Sequence, residues 1–301
     1  MRIAVTGASG LLGSALTKSL TADGHDVVAL VRRAPRGEGE ARWDPEAGTV
    51  DPAALEGRDA VVHLAGAPVG ARRWTAERKK VLWDSRVHGT DTIARAVAAL
   101  DRKPATLVCA SAIGFYGDTG DAYADEDTPP GDGFLADLVQ AWEAAADPAR
   151  EAGIRTVHTR TGLVVAAHGG AFGPLLPLFK AGLGGHLGNG RQFWSFISLD
   201  DEIAALRHAI DTPALSGPVN LTAPEPLTNR EVTAAMGRVL HRPTLLPVPA
   251  VALRAVLGEF AGDVLASQRV RPRRLLESGF SFTHPRFDDA LRAALPPRNR
   301  A

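Results

Sequence analysis

Three glycines near the amino terminus have the spacing of a phosphate-binding turn. Gly7, Gly10 and Gly13 lie in the segment TGASGLLG (residues 6–13), between a short apolar run and a helical pattern. At such a turn, glycines allow a tight bend, a close approach of the backbone to a diphosphate, and a close contact between strand and helix. The first turn of the helix adds free N–H groups and the positive end of its dipole. The segment therefore predicts a site for the diphosphate of a nucleotide.

Two arginines follow the second apolar run, where a group that recognises the nucleotide ribose is expected. Proteins that bind NAD place an Asp or Glu near the end of the second strand, where it accepts a hydrogen bond from the ribose 2′-OH. In this chain, Arg32 and Arg33 stand at that point. Guanidinium groups bind a 2′-phosphate through charge-assisted hydrogen bonds, so the pattern favours NADP, as NADPH, over NAD. The alternative is that both arginines are solvated loop residues.

Short apolar runs alternate with helical patterns through the first half of the chain. The runs lie at residues 2–6, 26–31, 59–65 and 105–110, the helical patterns at 11–22, 75–99 and 134–152, and strand-like sequence resumes at 154–165. This alternation is typical of an α/β protein whose parallel sheet is covered by helices on both faces. We expect a Rossmann-type, doubly wound parallel sheet over 1–165, with 199–221 returning to it, and a smaller, mainly helical substrate lobe over 166–301.

The amino-acid composition argues against several classes of protein. Lys and Arg total 34, as do Asp and Glu, so no positive surplus favours nucleic-acid binding. Cys109 is the single cysteine, which excludes an intrachain disulfide and favours a reducing, cytoplasmic location. No apolar run approaches the roughly 18–20 residues of a membrane span, and no secretory signal is evident, so no membrane partner is expected. The sequence lacks CxxC and HExxH patterns, so no metal site is expected either.

Several segments resemble the extended short-chain dehydrogenase/reductase superfamily. They are TGASGLLG at 6–13, HLAG at 63–66 and SAIGFYG at 111–117. The stretches GLGGHLGNGRQFWSFISLDD and LGEFAGDVLASQRVRPRRLLESGFSF resemble, more narrowly, an atypical subgroup known as epimerase family proteins or NAD-dependent epimerase/dehydratases. That subgroup carries a C-terminal domain of unknown function, which residues 249–295 resemble. The resemblance implies a Rossmann-type fold and a dinucleotide site.

The resemblance also implies which residues contact the dinucleotide. The matching positions in the diphosphate turn are Gly7, Ser9, Gly10, Leu11, Leu12 and Gly13. Leu64, Ala65 and Gly66 match the segment beside the adenine-side ribose. Arg86 replaces the Asn that members usually carry on the following helix, and a fixed positive charge there could reach the cofactor or an anionic substrate. The alternative for Arg86 is an ordinary exposed helix arginine.

The catalytic pair of the superfamily is missing from this chain. Members typically use Tyr-x-x-x-Lys, in which the lysine lowers the pKa of the tyrosine and the tyrosine transfers a proton. Alignment on Glu143 places Leu135 at the tyrosine position and Val139 at the lysine position. Because neither side chain can move a proton, the usual acid–base chemistry needs another group.

Two hydroxyl groups are therefore candidate catalytic residues. Tyr116 follows the fourth apolar run, at the edge of the sheet where open α/β proteins bind ligands. Ser111 is the candidate for the usual serine, although counting back from Tyr116 places that serine on Ala112, one residue away. The alternative for Tyr116 is an aromatic side chain that only packs.

Two residues of the second half are candidates for substrate contact. His186 lies in a glycine-rich loop, and an unperturbed histidine titrates near neutral pH. Trp194 offers an apolar wall for a ligand. The alternatives are a solvated loop histidine and a tryptophan of the core. His168 lies in a similar loop and has the same alternative as His186.

These observations support three hypotheses about function. The leading one is an NADP(H)-dependent oxidoreductase that acts on a small carbonyl or alcohol, because hydride transfer needs chiefly a cofactor held against the reacting carbon. The second is a nucleotide-sugar epimerase or dehydratase that retains its cofactor, as the family resemblance suggests. The third is a non-catalytic NADPH-binding sensor or scaffold, which the apolar Leu135 and Val139 favour. The expected partner is a small molecule, and the sequence indicates no particular oligomeric state.

Overall fold

A computed structural model of the protein describes residues 1–295. Its strands are β1 (Arg2–Thr6), β2 (Asp26–Val31), β3 (Glu40–Asp44), β4 (Thr49–Val50), β5 (Ala60–His63), β6 (Thr106–Ala112), β7 (Arg155–Thr161), β8 (Leu163–Val165), β9 (Phe193–Trp194), β10 (Phe196–Ser198), β11 (Gly217–Leu221) and β12 (Leu227–Thr228). Its helices are α1 (Leu11–Ala22), α2 (Pro52–Leu55), α3 (Ala76–Ala98), α4 (Phe134–Ala144), α5 (Asp147–Glu151), α6 (Leu176–Lys180), α7 (Leu199–Asp211), α8 (Asn229–Leu240), α9 (Ala250–Leu257), α10 (Phe260–Leu265), α11 (Arg273–Glu277) and α12 (Phe287–Ala294).

An eight-stranded sheet forms the centre of the fold. Its strand order is β11-β7-β6-β5-β1-β2-β3-β4, and every neighbouring pair is parallel except β3 and β4. The order reverses on the two sides of β1, so the sheet is doubly wound. The predicted α/β, Rossmann-type fold is therefore confirmed. The outermost strand β11 comes from the second half of the chain and pairs with β7.

The two faces of the sheet are buried by different helices. Val62 belongs to one apolar core, which includes Leu16 of α1 and Leu206 of α7. The preceding residue, Val61, belongs to a second core, which includes Ile93 of α3. Both valines are fully buried, because successive residues of a strand point to opposite faces. A strand covered on both faces reads as a continuous apolar run, which explains the pattern in the sequence.

A third core lies among residues 163–295, a region called the C-terminal lobe below. Phe287 of α12 packs against Phe196 and Phe172, with ring centroids 5.1 and 5.2 Å apart respectively. The neighbouring helix α8 begins with a capping box, in which Thr228 and Glu231 satisfy each other's backbone N–H groups.

Within residues 1–295, we find no helix with the length and hydropathy needed to cross a membrane.

A late segment of the chain connects this lobe to the sheet. The C-terminal segment (residues 266–271) lies between the loop 118–124 and strands β9 and β10. Ser195 accepts a hydrogen bond from the Val270 N–H (2.9 Å) and donates one to the Gln268 carbonyl (2.7 Å). On the other side, the Thr119 N–H donates to the Ser267 carbonyl (2.7 Å). The segment thus joins two elements that are distant in sequence.

Candidate functional site

The glycine turn lies where β1 ends and α1 begins, at the carboxyl edge of the sheet. Gly7 has φ of +67°, and a Cβ there would lie 2.8 Å from the Leu64 carbonyl carbon. A Cβ on Gly13 would lie 2.1 Å from the Gly7 carbonyl oxygen. A Cβ on Gly10 would have, within 4 Å and among residues 1–295, only the same carbonyl oxygen as a neighbour, at 3.3 Å, and Gly10 is exposed. Two glycines therefore close the turn, and the third leaves the outward space that a diphosphate requires.

Thr6 connects the glycine turn to the loop after β5. Its hydroxyl accepts hydrogen bonds from the Leu64 N–H (3.1 Å) and the Ala65 N–H (3.2 Å). Its own proton is then directed to His63 Nδ1, 2.8 Å away. Burial lowers the pKa of His63 to about 4, so the ring stays neutral at physiological pH. Neither Thr6 nor His63 was singled out from the sequence, because a hydroxyl at the end of an apolar run carries no distinctive signal.

The two arginines after β2 have different surroundings. Arg33 forms a bidentate ion pair with Glu40, with Nη1–Oε2 of 2.7 Å and Nη2–Oε1 of 2.5 Å. The hydrogen bonds from Arg33 lower the pKa of Glu40 to about 2. Arg32 is exposed and donates no hydrogen bond to any residue within 1–295. Only Arg32 is therefore free to meet a 2′-phosphate without breaking an existing pair.

Arg86 is buried, not exposed, with 8% of its surface accessible. Its Nη1 donates to the Ala67 carbonyl (3.0 Å) and to the Leu82 carbonyl (3.3 Å). A Cβ added to Gly66 would lie 3.5 Å from the Arg86 Cζ. The predicted residues Leu64, Ala65 and Gly66 thus form a short bridge between the glycine turn and the Arg86 guanidinium.

Ser111 and Tyr116 are brought together, but within a buried polar network and not at the glycine turn. Ser111 donates to Glu143 (2.6 Å), and Tyr116 donates to Asn220 (2.8 Å). Arg160 lies between them and donates to Glu143 (2.8 Å) and to the Tyr116 hydroxyl (3.0 Å). Burial raises the pKa of Tyr116 to about 12. Their catalytic roles stay predictions, and this geometry favours a structural role for both hydroxyls.

The positions of the missing catalytic pair are apolar in three dimensions as well. Leu135 packs against Gly114, where an added Cβ would lie 3.2 Å from the Leu135 Cβ. Val139 is buried in a cluster with Ile113 and Tyr116. Leu135 is half-buried and Val139 is buried, and neither apolar side chain can transfer a proton.

The two candidate substrate residues lie in different environments. Trp194 is buried in the core of the C-terminal lobe, with its ring centroid 6.0 Å from that of Phe172. This favours the packing role for Trp194. His186 is half-buried, and its Nδ1 lies 3.1 Å from the Gly188 carbonyl oxygen. Its contact with substrate stays a prediction.

A cleft of about 260 Å³ lies between the start of α1 and the C-terminal lobe. Its walls include Leu11 from the dinucleotide turn, His168 from a glycine-rich loop, and Asp200 from the start of α7. The glycines of that loop approach Leu11, since a Cβ on Gly170 would lie 3.5 Å from the Leu11 Cδ2. The loop around His168 therefore borders the glycine turn.

One buried carboxyl group near the sheet edge was missed from the sequence. Glu202 is fully buried in α7 and accepts a hydrogen bond from the Thr161 hydroxyl (2.8 Å). Burial raises the pKa of Glu202 to about 8, so this group holds its proton at neutral pH. Its sequence context, an acidic start of a helix, is typical of exposed residues and gave no sign of burial.

Comparisons with known proteins agree with this geometry. Residues 3–221 match the model of the NAD dependent epimerase/dehydratase family, and residues 248–294 match a domain of unknown function, DUF1731. An epimerase family protein of Mycobacterium bovis is 49% identical over 96% of both chains. The crystal structure of the human epimerase family protein SDR39U1 with NADPH superposes with a TM-score of 0.88, at 34% identity, covering 98% of this chain and 99% of the human one.

A further solved structure is described as a nucleoside-diphosphate sugar epimerase from Corynebacterium glutamicum. It superposes with a TM-score of 0.80 at 34% identity, covering 97% of this chain and 57% of that one. The family match spans more than half of the sequence, and the glycine turn that it includes has the geometry derived above. The chain belongs to the NAD dependent epimerase/dehydratase family and carries its Rossmann-type dinucleotide fold.

Proposed function

We propose that the protein binds NADP(H) and acts as an oxidoreductase on a small carbonyl or alcohol substrate. The observation that carries this proposal is the glycine turn, in which the exposed Gly10 leaves room for a diphosphate while Gly7 and Gly13 close the backbone. The NADPH described in the structure of the human relative supports the choice of cofactor. The unpaired Arg32 supports it independently, because its charge suits a 2′-phosphate.

The residues of the site have different roles in such a reaction. When bound, a nicotinamide supplies or accepts a hydride. The glycine turn and the first turn of α1 hold the diphosphate through backbone N–H groups. Leu135 and Val139 make the helix face that usually carries the tyrosine and lysine apolar. Since Ser111 and Tyr116 are held in the buried network, we assign the proton on the substrate oxygen to water or to a group of the C-terminal lobe.

Arg32→Ala is expected to weaken NADPH binding by roughly 10- to 150-fold, since one charge-assisted hydrogen bond contributes about 1.5–3 kcal/mol. Binding of NADH should be unchanged within about twofold, because NADH has no 2′-phosphate. Isothermal titration calorimetry with both cofactors measures the difference. The control is Arg102→Ala, which removes a similarly exposed arginine paired with Glu56 near the opposite ends of the strands. Equal losses for NADPH and NADH would remove the argument from the 2′-phosphate.

The reaction itself is tested by NADPH oxidation with a panel of aldehydes, ketones and keto acids. We expect turnover that depends on both the substrate and the protein, and a Gly10→Ala variant should lose it together with NADPH affinity. A protein that binds NADPH tightly but oxidises it with no member of the panel would contradict the proposal. That outcome would favour the sensor or scaffold, which the packed Leu135 and Val139 also allow.

The nucleotide-sugar reaction is the second candidate, and the similarity to the Corynebacterium glutamicum protein favours it. An epimerase regenerates its cofactor in each cycle and retains it. Mass spectrometry of the untreated protein distinguishes the two cases, because a retained, non-exchanging dinucleotide supports epimerisation and a freely exchanging NADPH supports reduction.

A further inference from the structure

Two arginines of α3 lie beside the loop that leaves β5, on one face of the helix. Arg86 donates to the Ala67 carbonyl (3.0 Å), and the Nη2 of Arg78 donates to the Pro68 carbonyl. Arg78 Nε is buried and has no partner within residues 1–295. A spacing of eight residues places both side chains on the same side of a helix. The loop after β5 brings the two side chains together, since adjacent carbonyls of Ala67 and Pro68 accept their hydrogen bonds.

Neither guanidinium is neutralised by a carboxylate in the part of the chain that the structure describes. Arg86 is surrounded by carbonyl groups and by the Trp142 ring, whose centroid lies 5.0 Å from the Arg86 Cζ. Burial and the charge of Arg78 lower the pKa of Arg86 to about 10, so the group remains positive at neutral pH. The neighbouring lysines are already paired, Lys79 with Glu259 and Lys80 with Asp84. Buried charges are normally paired with an opposite charge, and within residues 1–295 Arg86 has only neutral partners.

Arg78 and Arg86 contact residues farther along the loop after β5 than those that contact the glycine turn. The Leu64 carbonyl contacts Gly7, whereas Arg86 contacts Gly66 and Ala67, farther along the same loop. The glycine turn and the first N–H groups of α1 would bind the diphosphate. The Arg86 guanidinium therefore lies outside the glycine turn, against Gly66 and Ala67.

We propose that Arg86, assisted by Arg78, binds an oxyanion of the substrate, a carboxylate or a phosphate group carried by the carbonyl compound. This inference rests on the proposed oxidoreductase function. A guanidinium presents several N–H donors in one plane and matches the two oxygens of such a group. Binding of the oxyanion at this point would fix the orientation of the substrate beside the cofactor. This positioning matters particularly in a chain that lacks the catalytic tyrosine and lysine.

The test uses the NADPH-loaded protein and three probes: acetate, inorganic phosphate and, as a neutral match for acetate, acetamide. Binding is followed by the fluorescence of bound NADPH and of tryptophan, at constant ionic strength. We expect saturable binding of acetate or phosphate and none of acetamide, and the tighter of the two anions identifies the group. Arg86→Gln and Arg78→Gln should weaken anion binding, Arg86→Gln by at least about tenfold, the effect of losing about 1.4 kcal/mol. Arg86→Lys should retain part of it.

Arg95→Gln is the matched control, because Arg95 lies on the same helix but is exposed and paired with Asp91. Its anion affinity should stay within about twofold of wild type. Failure of both anions to bind the loaded protein more tightly than acetamide would overturn the inference and leave NADPH binding standing. Loss of NADPH affinity in Arg86→Gln, with anion binding kept, would overturn it too, since the guanidinium would then belong to the cofactor. Arg86→Lys and Arg78→Gln carry the test if Arg86→Gln does not fold.

Discussion

Replacing Gly13 with alanine is expected to abolish NADPH binding and to destabilise the protein. A Cβ at this position would lie 2.1 Å from the Gly7 carbonyl oxygen and 2.8 Å from the Ala8 Cα, so the turn has to move. In an unconstrained helix the same change stabilises by roughly 1 kcal/mol, because alanine is the better helix former. Overpacking against fixed backbone costs about 1–3 kcal/mol or more, so the clash decides the sign. We expect NADPH affinity to fall by at least roughly 100-fold, because the N–H groups around the diphosphate are displaced.

Calorimetry with NADPH and urea unfolding measure the two effects of Gly13→Ala. Ser14→Ala is the control, since Ser14 is the next residue of α1 and is exposed. Gly10→Ala separates the causes, because its Cβ meets only the Gly7 carbonyl oxygen at 3.3 Å. That variant should fold nearly as well as the wild type and still lose NADPH affinity. NADPH binding by Gly13→Ala within about threefold of wild type would show that the turn is not the diphosphate site.

Removing the carboxylate of Glu143 is expected to produce the largest loss of stability. Arg160 is almost fully buried, with its side chain 4% exposed, and donates from both Nε and Nη2 to Glu143 at 2.8 Å. Glu143→Ala would leave this guanidinium without a counter-ion and the Ser111 hydroxyl without an acceptor. Breaking a buried ion pair from one side costs about 3–5 kcal/mol. The free energy of unfolding should fall by that amount.

Urea unfolding followed by circular dichroism measures the loss. Glu151→Ala, on the exposed end of the neighbouring helix α5, should change the stability by less than about 0.5 kcal/mol. The double variant Glu143→Leu/Arg160→Met should be more stable than Glu143→Ala, because it removes both charges together. A loss below about 1 kcal/mol for Glu143→Ala would mean that solvent reaches Arg160 and that the network is not buried in solution.

The sheet and the glycine turn could be predicted from the sequence because both depend on local signals. A parallel strand that is buried on both faces leaves an uninterrupted apolar run, as at Val61 and Val62, and the turn is marked by its glycines. The short strands β3 and β4 carry no such run. The sequence therefore does not predict β3 and β4, since two strands at the edge of the sheet need few apolar residues.

The polar network could not be predicted, because its partners are far apart in the chain. Tyr116 and Asn220 are separated by 104 positions, and no local pattern links them. Ser111 illustrates a second difficulty. Successive residues of β6 point to opposite sides, so the choice between Ser111 and Ala112 decides which face of the sheet carries the hydroxyl. The burial of Arg86 was likewise invisible, because an arginine on a polar helix resembles a surface residue.

The position of the C-terminal segment has a consequence for biosynthesis. Residues 266–271 supply hydrogen-bond partners to the loop 118–124 and to Ser195, yet they are translated after both, with Val270 75 residues after Ser195. At ordinary elongation rates, the central strands leave the ribosome on the order of tens of seconds before these partners exist. During that interval Ser195 and its neighbours lack the hydrogen-bond partners that residues 266–271 supply in the folded protein. A message truncated before codon 266 would yield a polypeptide in which Ser195 and the loop 118–124 never gain these partners.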